Sequence, residues 1–399
     1  MRLLVLHDSA FARMRYERAF DHDEHDVVYA GPAERLREIP TEIRCGKKEL
    51  TPDRPVADQL RPWLRERPPF DRIFARRELL IMPAAELREE FGIPGMRPAT
   101  ALRFRDKVVM KEILAGAGIR VPRWFPVTAM PERVPWSGKV VVKPRDANAS
   151  RGIVVCADYA EARALIAERG GEPGFTERYE IEEYLDGPVC AVDGFLFRGE
   201  PVAVQAARYV GTCLDYGNGS PSGTVQHDAA DLAAWACECV RALGGETLTF
   251  HLEAIMTADG PAFLEVAARG GGGHLGEMLL RRSGVHLHSV DMATDVRGEL
   301  ATDLIDAPAS ELYYGDFLFP GHVYAGAPVS ITVPPRLLAD PILVKHRIHP
   351  QGAPTTTAPG YVPEHVAFSG MIAGPDPDAL EGWLRRLFAT VTVSTGGAR

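Results

Sequence analysis

Lysine is scarce in this chain: seven lysines, at 47, 48, 107, 111, 139, 143 and 345, stand against 38 arginines. A lysine at a special place is therefore informative. Lys143 closes the apolar run Val140, Val141, Val142 and precedes Pro144, after which residues 145–152 (RDANASRG) supply small, turn-forming side chains. A strand, a point-charge ammonium and a small-residue loop make a phosphate cradle, because backbone N–H groups and the ammonium meet phosphate oxygens with no side chain in the way. A hairpin loop with a solvated lysine accounts for the same residues. The pattern GxxxxGK followed by Ser or Thr is absent.

A second constellation surrounds Thr257-Ala258-Asp259-Gly260. A three-residue loop Ala258-Asp259-Gly260 pairs Thr257 with Pro261, and counting back pairs Glu253 with Glu265. Period 2 then puts Glu265, Ala267 and Arg269 on one face, opposite Glu253 and His251. Two carboxylates directly opposite repel unless a cation lies between them, and oxygen-only ligation suits Mg²⁺ bridging nucleotide phosphates. A solvent-facing strand pair salt-bridged to Arg269 is the plainer alternative. Downstream, Gly271, Gly273 and Gly276 spell GxGxxG. A dinucleotide site is disfavoured, because the chain's first strand has no glycine turn and this run follows a strand already carrying Glu265 and Arg269.

The elements that must position these residues follow from patterning. LLVLHD, VVYAG and DRIFA alternate with helical stretches over the first hundred residues, which reads as a parallel sheet with crossover helices. In RFRDKVVMKEILAGAGIRVPRW, Met110, Ile113, Leu114 and Ala117 share one helical face, ending at Gly118. Short strands then dominate, with one helix opening at Asp158 and Glu161, and a long helix follows at about 228–243 with Trp235 in its apolar stripe. The last hundred residues are mixed and rich in Pro and Gly.

With 399 residues the chain has room for two or three domains, and 46% hydrophobic with 25% charged residues is ordinary globular composition. A net charge of -9 without basic runs argues against nucleic acid or anionic membrane as partners. No signal peptide and no 18-residue apolar window is seen. Six cysteines (45, 156, 190, 213, 237, 239) lack CxxC spacing, as structural thiols of a cytoplasmic protein would.

In this order the motifs resemble the ATP-grasp superfamily, over roughly residues 70–300 and extending to the whole chain. RDKVVMKEILAGAGIRVP is similar to the family's first ATP-site helix, with Lys107 reaching phosphates. VVVKPRDANASRG resembles its lysine strand and lid loop, which implies Lys143, Ser150, Arg151 and Gly152 at the phosphates. IEEYLDG resembles the adenine hinge, with Glu182, Glu183, Tyr184 and Leu185 around the base. HLEAIMTADGPAFLEVAARGGG resembles the metal strands, with Glu253 and Glu265 holding Mg²⁺ (Mn²⁺ as a substitute) and Arg269 as the catalytic residue beside the transferring phosphoryl group or the substrate carboxylate. Two positions depart from the family: Ala267 stands where E-x-N-x-R has Asn, and Val189 stands where an acidic ribose ligand is common, with Asp193 or a water as its substitute.

The resemblance implies an α/β and α+β architecture. An N-terminal parallel α/β domain spans 1–100, the first helix and lid subdomain 101–185, the larger subdomain 186–300, and a C-terminal α+β region completing the substrate side 301–399. It implies a ligase that phosphorylates a small carboxylate and couples it to an amine, plausibly amino acids, releasing ADP and phosphate. Arg208, Gly271, Gly272 and His274 are the substrate candidates, with Tyr209 and Asp215 beside them. A carboxylase on the same ATP site and a non-catalytic nucleotide binder are the alternatives, and a homodimer stays open.

Overall fold

The structure is a computed structural model that describes residues 1–308, 311–357 and 360–395. Its N-terminal sheet is parallel: Arg2–Leu6 lies between Asp26–Gly31 and Arg72–Ala75, with Gly46–Glu49 on the outer edge. Leu3, Leu4, Val5 and Leu6 are all buried because helices cover both faces. The carboxyl ends of its strands deliver Ser9, Arg76 and Glu78 to a central cavity, as open α/β sheets do.

A small antiparallel sheet runs Trp124–Pro126, Tyr179–Glu183, Val140–Pro144, Val154–Cys156 in spatial order. Val140, Val142 and Ile181 pack under the helix Tyr159–Arg169, whose first turn is capped by the Asp158 carboxylate accepting from the Glu161 N–H at 2.9 Å.

The third sheet has eight strands, in the order Gly260–Ala267, Leu248–Thr257, Val189–Phe197, Glu200–Val210, Ser222–His227, Tyr313–Phe319, Phe368–Gly374, Leu343–Ile348. Three of its strands come from the last hundred residues, so the C-terminal stretch extends the sheet begun by the strands between 189 and 267. Period 2 sorts its faces. Val192, Leu196, Phe250 and Leu252 share one core with the helices Lys107–Gly116 and Ala230–Ala242, whereas Phe195 packs with Leu279 and Val290 on the other side. His251 and Glu253, at the odd positions, therefore face away from the large core.

The helix Lys107–Gly116 buries Met110 and Leu114 as the spacing predicts, and it packs on the large sheet. Ala117 is exposed, because the helix closes at Gly116 and Ala117 lies beyond it. Trp235 packs partly buried against the core, and all six cysteines are free. Among the described residues no helix is long and apolar enough to cross a membrane.

Candidate active site

The hairpin turn has two residues, pairing Thr257 with Gly260, where the sequence predicts three. A bulge at Leu264 restores the register, so Glu253 does pair with Glu265 and His251 with Ala267. The carboxylates are treated unequally. Glu265 is bound by the Lys107 ammonium at 3.0 Å. Glu253 is buried and accepts from the Tyr209 hydroxyl at 2.7 Å and the Cys213 thiol at 3.4 Å. His251 lies 3.0 Å from Asp193 and 3.6 Å from Glu253. Burial alone would lower the imidazole pKa, but the two carboxylates push it up to about 10. Burial likewise works against ionised Glu253, and His251 with the Tyr209 hydroxyl overcomes it, holding that carboxyl below its usual range.

This donor set fits a hard divalent cation that takes its other ligands from phosphate and water. Two carboxylates converge, Ala267 adds no oxygen between them, and among the described residues no group of three or more His, Cys, Asp or Glu is set to hold a metal by itself. Mg²⁺ binds in this manner, through one or two carboxylates plus phosphates.

Beside the carboxylates is a cavity of about 150 Å³ with apolar walls from Val141, Val155, Leu185 and Ile255. Lys107, Lys143, Ser150, Arg151, Glu182, Glu183, Tyr184 and Leu185 all line it. Lys143 is buried and ion-paired to Glu182 at 2.6 Å, while Lys111, fully buried, bridges Glu180 and Glu182 at 2.7 Å each. Burial opposes every one of these charges. The glutamates nevertheless raise the Lys143 pKa, and the two ammonium groups hold Glu182 low. Lys107 also donates to the Ala147 carbonyl at 2.7 Å, which ties the loop 146–152 to the strand carrying Glu265.

That loop is strained: Ala149 and Ser150 adopt φ of 56° and 54° without being glycine. Gly152, at φ 74°, does not line the cavity; a Cβ there would meet the Tyr179 hydroxyl at 2.8 Å, so it serves the turn. The Arg151 guanidinium folds back on Asn148, and Glu183 is held by Arg123. Val189 lines this cavity, but Asp193 does not. Asp193 is buried against His251 and accepts from the Gly271 N–H at 2.6 Å, which removes it as a ribose ligand.

A second cavity, about 310 Å³, opens on the other side. It shares Asn148, Ser150, Arg151, Cys213, Glu253 and Glu265 with the first, so the carboxylate pair and the loop form a common wall. Arg269 lies in it, donating to Glu78 at 2.6 and 3.1 Å, and Arg105 binds the same carboxylate. Burial would raise the Glu78 carboxyl, but Arg269, Arg105 and Lys107 hold it down to about 2. Gly271 and Gly272 line this cavity, and Gly271 has no room for a Cβ, which would come within 2.9 Å of Leu275, Asp193 and His251. The GxGxxG run thus forms a wall of the second cavity and opens the helix Leu275–Ser283.

Two substrate candidates are misplaced. Arg208 alternates with Tyr209 on its strand and points to Glu381 at 3.2 Å, outside both cavities. His274 contributes its backbone N–H to Asp316 at 2.9 Å, but its ring turns toward Glu277 and does not line the cavity. Asp215 caps its own short helix through Thr212. The sequence assigns no role to Lys111, Glu180, Glu78 or Asp316. For Lys111, one of only seven lysines, scarcity is the signal that points to a site.

No protein-family model matches the chain. Dapdiamide A synthase of Enterobacter agglomerans is 26% identical over 185 residues, 42% of this chain and 43% of that protein, so the match spans less than half of that relative. The L-amino acid ligase of Bacillus licheniformis superposes with a TM-score of 0.74 at 16% identity, covering 99% of this chain and 98% of that one. The N5-carboxyaminoimidazole ribonucleotide synthetase of Thermotoga maritima gives 0.68 at 14% identity, covering 99% of both chains. The biotin carboxylase domain of the 2-oxoglutarate carboxylase of Hydrogenobacter thermophilus, in complex with MgADP, ADP and bicarbonate, gives 0.64 at 14%, covering 99% of this chain and 90% of that one. The chain has the ATP-grasp fold. Within that fold it is similar to an amino acid ligase along its whole length.

Proposed function

We propose that the protein is an ATP-dependent carboxylate–amine ligase that forms an acyl phosphate and releases ADP and phosphate. One observation carries this reading: two cavities of about 150 and 310 Å³ meet at a wall made of Glu253, Glu265 and the loop 146–152. A nucleotide in the smaller cavity presents its terminal phosphoryl group to a carboxylate in the larger one. Such transfer needs charge neutralisation and alignment more than covalent help. Lys107 and Lys143 supply positive charge on the nucleotide side, and Arg269, fixed by Glu78, supplies it on the acceptor side. The apolar walls receive the base next to the Glu182–Leu185 segment. Mg²⁺, held by Glu253 and Glu265, supplies neutralisation of phosphate charge when bound. The loop 146–152, pinned by Lys107 to the strand below, covers both cavities at their junction and keeps water from a hydrolysable intermediate.

The amine then attacks the acyl carbon and phosphate departs, so the nucleotide product is ADP. Small acids offered with ATP, Mg²⁺ and hydroxylamine should yield a hydroxamate and ADP. An amine substrate in place of hydroxylamine should yield the amide. AMP release, or ADP formation that requires bicarbonate and gives no amide, would overturn the ligase reading in favour of adenylation or carboxylation. Nucleotide binding without turnover on any acid would leave a binding protein.

A further inference from the structure

Gly360, Tyr361 and Val362 line the larger cavity without reaching the smaller one, and the phosphoryl transfer described above gives them no part. Tyr361 is held from two directions. Its carbonyl accepts from the Gly273 N–H at 2.8 Å, and a Cβ on Gly272 would come within 2.8 Å of the Tyr361 Cβ. The glycine wall is thus set directly against this residue. On its other side the Tyr361 ring stacks on Tyr216, with centroids 4.8 Å apart and planes at 29°, and the Tyr216 hydroxyl donates to the Gly360 carbonyl at 3.0 Å. Tyr216 is buried in the short helix Cys213–Gly217.

The Tyr361 hydroxyl meets the wall that both cavities share. It donates to the Cys213 carbonyl at 3.4 Å, and the Cys213 thiol and the Ser150 hydroxyl adjoin it. The same thiol reaches Glu253 at 3.4 Å. Ser150 also rests on the helix Cys213–Gly217, where a Cβ on Gly217 would lie 3.5 Å from its own. Ala149 and Ser150 hold a left-handed backbone, which non-glycine residues keep only where their surroundings fix it. Tyr361 and the helix Cys213–Gly217 are those surroundings on the acceptor side. In a close-packed interior a group moves only when its neighbours do, so the places of the loop and of Tyr361 depend on each other.

We propose that Tyr361 is a positioning residue that couples the two cavities. A nucleotide that settles the loop 146–152 fixes the Tyr361 hydroxyl against Ser150 and Cys213. The same residue, through its carbonyl and Cβ, then fixes Gly272 and Gly273 in the acceptor wall. By linkage, an acceptor that orders this wall tightens nucleotide binding by the factor with which nucleotide tightens acceptor binding. The inference rests on the nucleotide site of the ligase reading and adds a route by which one substrate prepares the pocket of the other.

Hydrogen–deuterium exchange tests this without any acid or amine. The intact protein is compared with and without saturating adenylyl imidodiphosphate and Mg²⁺, as wild type and as Tyr361→Phe. The variant keeps the stacked ring and the backbone bond to Gly273 and removes only the hydroxyl. In both proteins the analogue should slow exchange across 146–152. In the wild type it should also slow residues 271–273 at least tenfold, and in Tyr361→Phe that second effect should fall below twofold, with exchange before nucleotide unchanged. A tyrosine with a merely structural role would leave the glycine run loose in the nucleotide-free variant, and that result overturns the inference. Slowing at 271–273 that survives Tyr361→Phe overturns it as well. No slowing at 146–152 in the wild type removes the nucleotide from the smaller cavity and the coupling with it, whereas slowing there with none at 271–273 condemns the coupling alone. The hydroxamate assay reports separately on the chemistry: a coupled wall without hydroxamate condemns the ligase reading alone.

Discussion

The two cavities differ in how they are built. The smaller cavity, to which the nucleotide is assigned above, is made of paired strands and one helix, with charges already matched inside the protein: Lys107 with Glu265, Lys143 and Lys111 with Glu180 and Glu182. The acceptor side is assembled from the ends of the parallel sheet, the glycine run, the helix bearing His288, and Tyr361 near the C-terminus. Strand register fixes the first, because one cross-strand count places several groups at once. Loops from four parts of the chain fix the second, and no short pattern encodes where they converge. The same fold can therefore keep one nucleotide chemistry while its acceptor pocket changes.

The sharpest way to break this comparison is at the common wall. Glu265→Gln keeps the shape of a side chain that pairs with Lys107 and is about one-third exposed, at 36%. Turnover should fall about a thousandfold with the melting temperature nearly unchanged, as expected when preorganised charge at the transferring group is removed. Steady-state ADP release and a thermal melt measure the two sides. Normal Mg²⁺-dependent ADP formation by this variant would detach the carboxylates from the chemistry.

Next in size is the charge network behind the nucleotide cavity. Lys111→Met leaves Glu180 and Glu182 buried with one ammonium between them, at 4.0 and 2.6 Å from Lys143. Loss of one partner from a buried ion network costs about 3–5 kcal/mol. Denaturant unfolding should show a loss of that size, with poorer ATP affinity in whatever remains folded. A stability change under 1 kcal/mol would mean that water reaches the cluster and that the nucleotide side is less closed than its burial indicates.

What the sequence disclosed follows the same division. Glu253 opposite Glu265 was legible because period 2 needs only one correct pairing, and it survived a wrong turn length because the Leu264 bulge adds back the residue that the shorter turn removes. Lys143 was legible from its strand and loop. Lys111 was not, since its partners Glu180 and Glu182 lie some 70 positions away. Arg208 was misread because neither face of its strand has a polar signature, and only packing shows that Tyr209 faces the site. The parallel N-terminal sheet was plain from alternation. The continuation of the large sheet into residues 313–374 was hidden by intervening loops rich in Pro and Gly.

A pH dependence sharpens the acceptor side. Glu78 titrates near 2 in the folded protein, below the ordinary 4.5, because Arg269 and Arg105 outweigh its burial. A depressed carboxyl adds stability that is complete above the unfolded value and is lost as pH falls toward the folded one. Between about pH 5 and 2 the wild type should lose roughly 3 kcal/mol from this group. Glu78→Gln should be less stable at pH 7 and show a shallower acid limb. Parallel acid limbs for the two proteins would mean that Glu78 gains nothing from its arginines and that Arg269 is held by something else.

The smallest expected effect marks the edge of the acceptor side. Arg208 is adjacent in sequence to Tyr209, which donates to Glu253, yet strand alternation sends Arg208 to the opposite face and to Glu381 at 3.2 Å. Its side chain is 38% exposed, and partly exposed ion pairs contribute about 0.5 kcal/mol or less. Arg208→Ala should therefore leave kcat/KM within twofold of wild type and lower the melting temperature by only a degree or two. Both follow from strand alternation, which sends these two neighbouring side chains to opposite faces of the sheet. A drop in kcat/KM beyond tenfold, without a matching loss of stability, would show that the substrate reaches around the strand edge, and the division between the two cavities would have to be redrawn there.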